Sequence, residues 1–145
     1  MRMALKQHLS FLSEPPYTTV EKTILSVLKD LPPLPSHIAG TIAGFTPIGI
    51  LIFAIINLLS MLLMVQFPSY SITVIVYTVG YALLTFLFFV AYKPLKHNEL
   101  IGWRMIFWAI LVKSLQLILL TQIVTAVISG GFFLYILSQI RNKYR

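Results

Sequence analysis

Pro47-Ile48-Gly49-Ile50-Leu51-Ile52-Phe53-Ala54-Ile55-Ile56-Asn57-Leu58-Leu59-Ser60-Met61-Leu62-Leu63-Met64-Val65-Gln66 is the stretch that decides the fold. It carries no charge, and aliphatic side chains surround its interior polar residues, Asn57 and Ser60. A helix needs about 20 mainly apolar residues to cross roughly 30 Å of hydrocarbon, and this run supplies them. The charge-free region reaches further, from Leu31 to Tyr92, which leaves room for a second crossing. From Met105 to Ile140 the only charge is Lys113. The chain therefore reads as an all-α integral membrane protein, a four-helix bundle preceded by one or two amphipathic segments.

Composition agrees with that reading. The 145 residues are 58% hydrophobic and 10% charged, with a mean hydropathy of +0.88, against roughly 25% charged in soluble domains. Cysteine is absent, which excludes disulfides, thiolate catalysis and Cys-ligated metal centres. The net charge of +7 sits beside the apolar runs and forms no soluble basic face. Anionic headgroups of a lipid bilayer are the expected partner, and nucleic acid is not. Lys6, Gln7 and His8 interrupt the first apolar stretch and no small-residue cleavage site follows, so no signal peptide is expected. Neither end carries a lipidation signature.

Residues 1–35 read as cytoplasmic amphipathic segments with a Pro-rich linker, and 36–145 as the transmembrane domain. Leu5, Leu9 and Leu12 share a helical face before Glu14-Pro15-Pro16 breaks the chain. Thr18 and Glu21 then have capping-box spacing, and Val20, Ile24, Val27, Leu28 and Leu31 form an apolar stripe. This helix is too short and too charged to span. It either lies on the membrane surface or folds against the bundle. Leu31-Pro32-Pro33-Leu34-Pro35 predicts an extended linker. Ser36 to Phe45 reads as a helical approach to the membrane, with Pro47 in the first turn of the first span. Spans are expected near 47–66, 72–92, 103–120 and 123–140. A polar turn at 67–71 and a connection at 93–99 join them, with an unmarked turn at Thr121-Gln122.

Lys and Arg cluster in the N-terminal region, around 93–104 and in the tail, and are missing after the first span. Because basic loops stay inside, both termini are expected in the cytoplasm, in a multi-pass protein of the cytoplasmic (inner) membrane. Tyr70, Tyr92, Trp103 and Tyr144 fall near the expected interfaces, where aromatic anchors belong.

Lys113 is the sharpest candidate for function, since an ionisable residue within a span is rare and costly. Gln116 lies one turn away and Gln122 beyond it; with Asn57 they make up a candidate intramembrane polar site. The competing reading is that Lys113 snorkels along its four-carbon stem to the interface. Asn57 suits an interhelical hydrogen bond. Thr73, Thr78, Thr85, Thr125 and Ser129 can bond their own helix carbonyls. Gly40 and Gly44 have GxxxG spacing beside Ala39 and Ala43, and Ala126 and Gly130 repeat a small-residue pattern. Both predict close helix packing, first within the chain and otherwise between copies.

His8, His37 and His97 lack a second ligand at helical spacing, so no metal is expected. Glu14, Glu21, Asp30 and Glu99 lie outside the spans and are unpaired by spacing. With no nucleophile elbow, carboxylate dyad or phosphate loop, the reading is non-enzymatic, with no catalytic residue and no cofactor.

Gly102-Trp103-Arg104-Met105-Ile106-Phe107-Trp108 opens one span, and Phe133-Leu134-Tyr135-Ile136-Leu137-Ser138-Gln139-Ile140-Arg141-Asn142-Lys143-Tyr144 closes the chain. With a Pro-rich linker leading into a span that starts at proline, these motifs resemble small four-span membrane proteins of candidate-phyla (Patescibacteria-like) bacteria. The likeness covers the C-terminal third and the linker. It implies a four-helix membrane architecture and carries no activity, substrate or catalytic residue. The function expected is that of an accessory or structural subunit or a self-associating bundle, with a second copy or another membrane protein as partner. The alternative is a small transporter or channel with a polar pathway around Lys113.

Overall fold

The computed structural model describes residues 14–66 and 71–144. The expected first helix with Leu5, Leu9 and Leu12, together with His8 and the turn around Tyr70, lies outside the described residues. Every regular element among the described residues is helical. They are α1 (Tyr17–Leu28), α2 (Ser36–Val65), α3 (Ile72–Lys96), α4 (Leu100–Leu119) and α5 (Ile123–Ile140), followed by a 3-10 turn at Arg141–Lys143.

Helices α2 to α5 are each long and apolar enough to cross a membrane. At 1.5 Å per residue they measure about 45, 38, 30 and 27 Å. Their outward faces are aliphatic: Ile52 is 53% exposed, Leu59 55% and Val124 72%. Contiguous apolar surface of this kind is stable only where lipid is the solvent. This is a multi-pass membrane protein. Each spanning helix packs along the next one in the chain, whereas α2 and α5 meet only sparsely, so the bundle is open along one side. The largest fully buried side chains include Leu95, Trp103, Phe107 and Ile140, near the end of the bundle that carries α1, the linker at 29–35 and the connection at 97–99. We call this the α1 end and the opposite one the turn end.

Pro47 corrects the expected start of the first span. The helix begins at Ser36, and Pro47 lies inside it rather than in its first turn. An interior proline has no N–H for the carbonyl four residues back, here that of Ala43. The Tyr144 hydroxyl donates to that carbonyl at 3.3 Å, from the far end of the chain. Burial holds the Tyr144 phenol above its usual pKa, against an opposing hydrogen bond with Thr46. Tyr144 is therefore not an interfacial anchor, being 5% exposed, and neither is Trp103 at 0%. The Trp103 indole N–H is satisfied inside the bundle by the Leu137 carbonyl at 2.8 Å, as a buried Trp requires.

Two αL residues make the sharp turns. Asn98 has φ 55°, with Asn98 N–H donating to Leu95 O and Glu99 N–H to Pro94 O, both at 2.9 Å. Thr121 repeats the geometry with φ 62°, Thr121 N–H donating to Ile118 O and Gln122 N–H to Leu117 O, again at 2.9 Å. These paired bonds satisfy orphan carbonyls at the helix ends. Asn tolerates αL, whereas a β-branched residue rarely adopts it, which is why the sequence leaves this turn unmarked. At the other connection, a Cβ on Gly102 would come within 2.7 Å of the Leu95 backbone nitrogen. Glycine there lets α4 start directly against the end of α3.

Two outcomes test these assignments by thermal unfolding in detergent. Thr121→Gly should raise stability by about 1 kcal/mol by relieving αL strain; a loss would show that the Thr side chain matters more than the backbone. Tyr144→Phe should cost about 1 kcal/mol. In a Pro47→Ala background, where the Ala43 carbonyl regains its helical donor, that cost should largely vanish, and strict additivity would refute the coupling.

Candidate functional site

The turn end of the α3–α4 seam carries a connected set of polar groups. Gln116 is buried on α4, and its amide nitrogen donates to the carbonyls of Val76 (3.3 Å) and Tyr77 (3.5 Å) on α3. Gly80 makes this approach feasible, because a Cβ there would collide with the Gln116 amide. The Lys113 ammonium donates to Gln116 Oε1 at 3.2 Å and lies 4.7 Å from the centre of the Tyr81 ring. Tyr77 stacks on Tyr81 with centroids 5.9 Å apart, and its hydroxyl accepts from the Gln122 amide at 3.3 Å. Lys113, Gln116 and Gln122 are thus brought together through two tyrosines and a glycine of α3. Those α3 residues were missed in the sequence. Tyrosines at i and i+4 around a glycine, well inside a span and away from the interfacial belt, were the available signal.

Asn57 does not join this set. Its amide donates to Phe53 O of its own helix at 2.7 Å, so the expected interhelical bond is replaced by a local one. Asn57 and Lys113 do face the same cleft, of about 690 Å³, which opens where α2 and α5 fail to close. Its walls come mainly from α2, α4 and α5, with Leu84 and Phe88 of α3 behind them. Phe53 contacts both Phe88 and Phe133 across it, with centroids 6.5 and 6.4 Å apart. Of the hydroxyls expected to bond their own helices, Ser129 donates to Thr125 O at 2.6 Å. Thr85 does not, and its buried Oγ1 has no partner.

The small-residue motifs divide. Gly130 fits against Ser114 of α4, with no space for a Cβ, and Ala126 is 2% exposed. Gly40 and Gly44 do not pack within the chain: a Cβ on either would meet nothing within 4 Å. The buried stripe is Ala39, Ala43, Ile50 and Ala54, one position round the helix.

A second polar centre lies at the α1 end. Glu21 is 2% exposed, and its Oε2 accepts from Arg104 Nε at 2.9 Å. Its Oε1 accepts from Arg141 Nη2 at 3.0 Å and Nε at 3.2 Å, while the Arg141 guanidinium sits 5.6 Å from the Trp103 ring. The expected capping box is not formed. Pro16 is the N-cap residue without a side-chain bond, and Glu21 faces the bundle. Two guanidiniums are stronger partners for the carboxylate than one backbone N–H. Tyr17 adds an edge-on contact to Trp108 at 5.3 Å. Of the two arrangements the sequence allowed, α1 therefore folds against the bundle, with Val27 of its stripe left 71% exposed. The linker follows, with Tyr135 donating to Pro32 O at 2.7 Å and Leu34 N–H to Gln139 Oε1 at 3.2 Å.

Among the described residues no group of His, Asp or Glu is placed to hold a metal ion. Comparison of the chain with protein-family models, curated proteins and solved structures gives no match.

Removing Glu21 takes a shared carboxylate from Arg104, which keeps a further contact, and from Arg141, which is partly exposed. Losing hydrogen bonds to a charged group costs about 1.5–3 kcal/mol. Glu21→Ala should therefore destabilise the protein by an amount of that order and expose residues 29–35 to protease. Unchanged proteolysis would show that α1 is held by its apolar contacts alone.

Proposed function

We propose that the protein is a non-enzymatic membrane component, an accessory or structural subunit or a self-associating bundle, that acts by packing against lipid and other membrane-embedded protein. The observation that carries this reading is how far the polar set extends. It runs from Gln122 to Lys113, and the cleft beyond is walled mainly by apolar side chains such as Ile50, Phe53, Phe88, Ile106 and Phe133. Thr46, Asn57 and Ser129 on its walls bond carbonyls of their own helices. A solute pathway needs polar groups that replace hydration along its length, and that stretch offers few. The polar side chains along the α3–α4 seam are also engaged with one another. Among the described residues, Lys113 is the only titratable side chain on the cleft wall, which offers no acid–base pair there for catalysis.

Association is supported by Gly40 and Gly44, whose open face allows close approach of another helix. Lys22, Lys29, Lys93, Lys96, Arg104, Arg141 and Lys143 gather at the α1 end, which supports a cytoplasmic location for that end, beside anionic headgroups of the inner membrane. The partner is then a second copy or another membrane protein.

The rival reading, a small transporter or channel with a pathway past Lys113, draws on the same polar set. Lys113→Leu separates the two. Proteoliposomes of the wild type should pass K⁺, Cl⁻ and protons no faster than empty liposomes, and the variant should keep the wild-type assembly state on gel filtration. A wild-type flux that the variant abolishes would overturn the proposal.

A further inference from the structure

The cleft between α2 and α5 has features of a ligand site. Its volume, about 690 Å³, lies within the roughly 300–1,000 Å³ typical of small-molecule sites. It is lined by aromatic and aliphatic side chains, with Phe53, Phe88 and Phe133 forming a contacting cluster from three helices. On the wall nearer the turn end stands Lys113. The contacts of its ammonium are an amide oxygen and a ring face, and no Asp or Glu occurs between Leu31 and Tyr92 or between Leu100 and Tyr144. The cleft thus presents a cation beside an apolar trough without a carboxylate from the spans to balance it.

Depth narrows the occupant further. Lys113 precedes the α4 terminus at Leu119 by six residues, which places its Cα about 9 Å below that end of the helix. A lysine stem can carry the ammonium from there towards the headgroup layer. A partner helix is the wrong size to enter. At about 10 Å across and 30 Å long it would fill about 2,400 Å³, several times the cleft. A single hydrocarbon chain is slender enough to lie in it.

We propose that this cleft binds an anionic phospholipid of the leaflet at the turn end. Its phosphate-bearing headgroup is held by Lys113, and one acyl chain lies over Phe53, Phe88 and Phe133. The neighbouring tyrosines and Gln116 hold Lys113 in place, and the gap between α2 and α5 is the lateral entrance from the bilayer.

The test is native mass spectrometry of the full-length protein in mild detergent, supplied with phosphatidylglycerol or phosphatidylcholine of identical chains. The wild type should retain one phosphatidylglycerol in preference to phosphatidylcholine by about fivefold, the worth of one cation near an anionic headgroup. Lys113→Arg should keep that preference, and Lys113→Leu should equalise the two lipids. Gly49 lines the cleft and a Cβ there meets nothing within 4 Å, so Gly49→Phe should fill the trough and lose both lipids while helicity is unchanged. Equal retention by the wild type, an unaltered preference in Lys113→Leu, or full competition by soluble glycerol phosphate would each overturn the proposal. A membrane polypeptide that cross-links into the cleft from position 49 and that lipid cannot displace would overturn it as well. The flux assay is read separately, so failure of either proposal leaves the other standing.

Discussion

Glu21 places a carboxylate between the guanidiniums of Arg104 and Arg141 where it is almost sealed from solvent, and the α1 end is arranged around that contact. The ion pair joins three distant parts of the chain: the short helix before the linker, the second turn of α4, and the 3-10 turn that follows α5. Once it forms, Trp103 is covered on one side by Arg141 and tied to Leu137 on the other. The linker is drawn along α5, where Pro32 and Leu34 are bonded. Desolvation opposes burying such charges, so the pair is weak evidence of net stability but strong evidence of a specified arrangement, because a shifted register would strand a buried ion.

Polar groups inside the spans follow the same requirement without charge. Hydrocarbon gives backbone and side-chain dipoles no water to turn to, so each is satisfied within the protein or at cost. Pro47 removes one helical donor, and Tyr144 replaces it from the chain's far end. Gln116 finds α3 carbonyls only because Gly80 has no side chain to block it. Asn57 turns back on its own helix, and Thr85 alone among the described buried side-chain polar atoms is left unpaired.

The four crossings were legible in the sequence because hydrocarbon thickness acts on composition: charges vanish over the required length and reappear at the ends. The partners within the bundle were not legible, since the pairs that matter join residues far apart along the chain. Glu21 looked like the second half of a capping box because local spacing is all that sequence shows, and its arginines come from α4 and the end of α5. Pro47 looked like a helix start because its usual penalty is local while its remedy is not. Thr121 carried no turn signal at all; backbone hydrogen bonds hold it in a conformation its side chain disfavours. Lys113 stood out as a charge in an apolar run, but the Tyr77, Gly80 and Tyr81 pattern of α3 carried no indication of which helix it would face.

These constraints divide the molecule into unlike halves. At the α1 end, ion pairs, buried aromatics and bonded linker residues cross-link α1, α4 and α5, and Tyr144 ties the tail to α2. Towards the turn end the polar links lie along one seam, between α3 and α4, while α2 and α5 leave between them a cleft that runs from Asn57 and Thr125 back to Thr41 and Ile140. Closing the cleft would bring α5 onto α2 around Phe53 and Phe133, which already touch, and would enclose the Lys113 ammonium in an apolar interior without a counter-charge. A lysine tolerates that environment poorly. The same residue that marks the cleft as a site therefore also disfavours its collapse, which leaves the bundle open along the α2–α5 side.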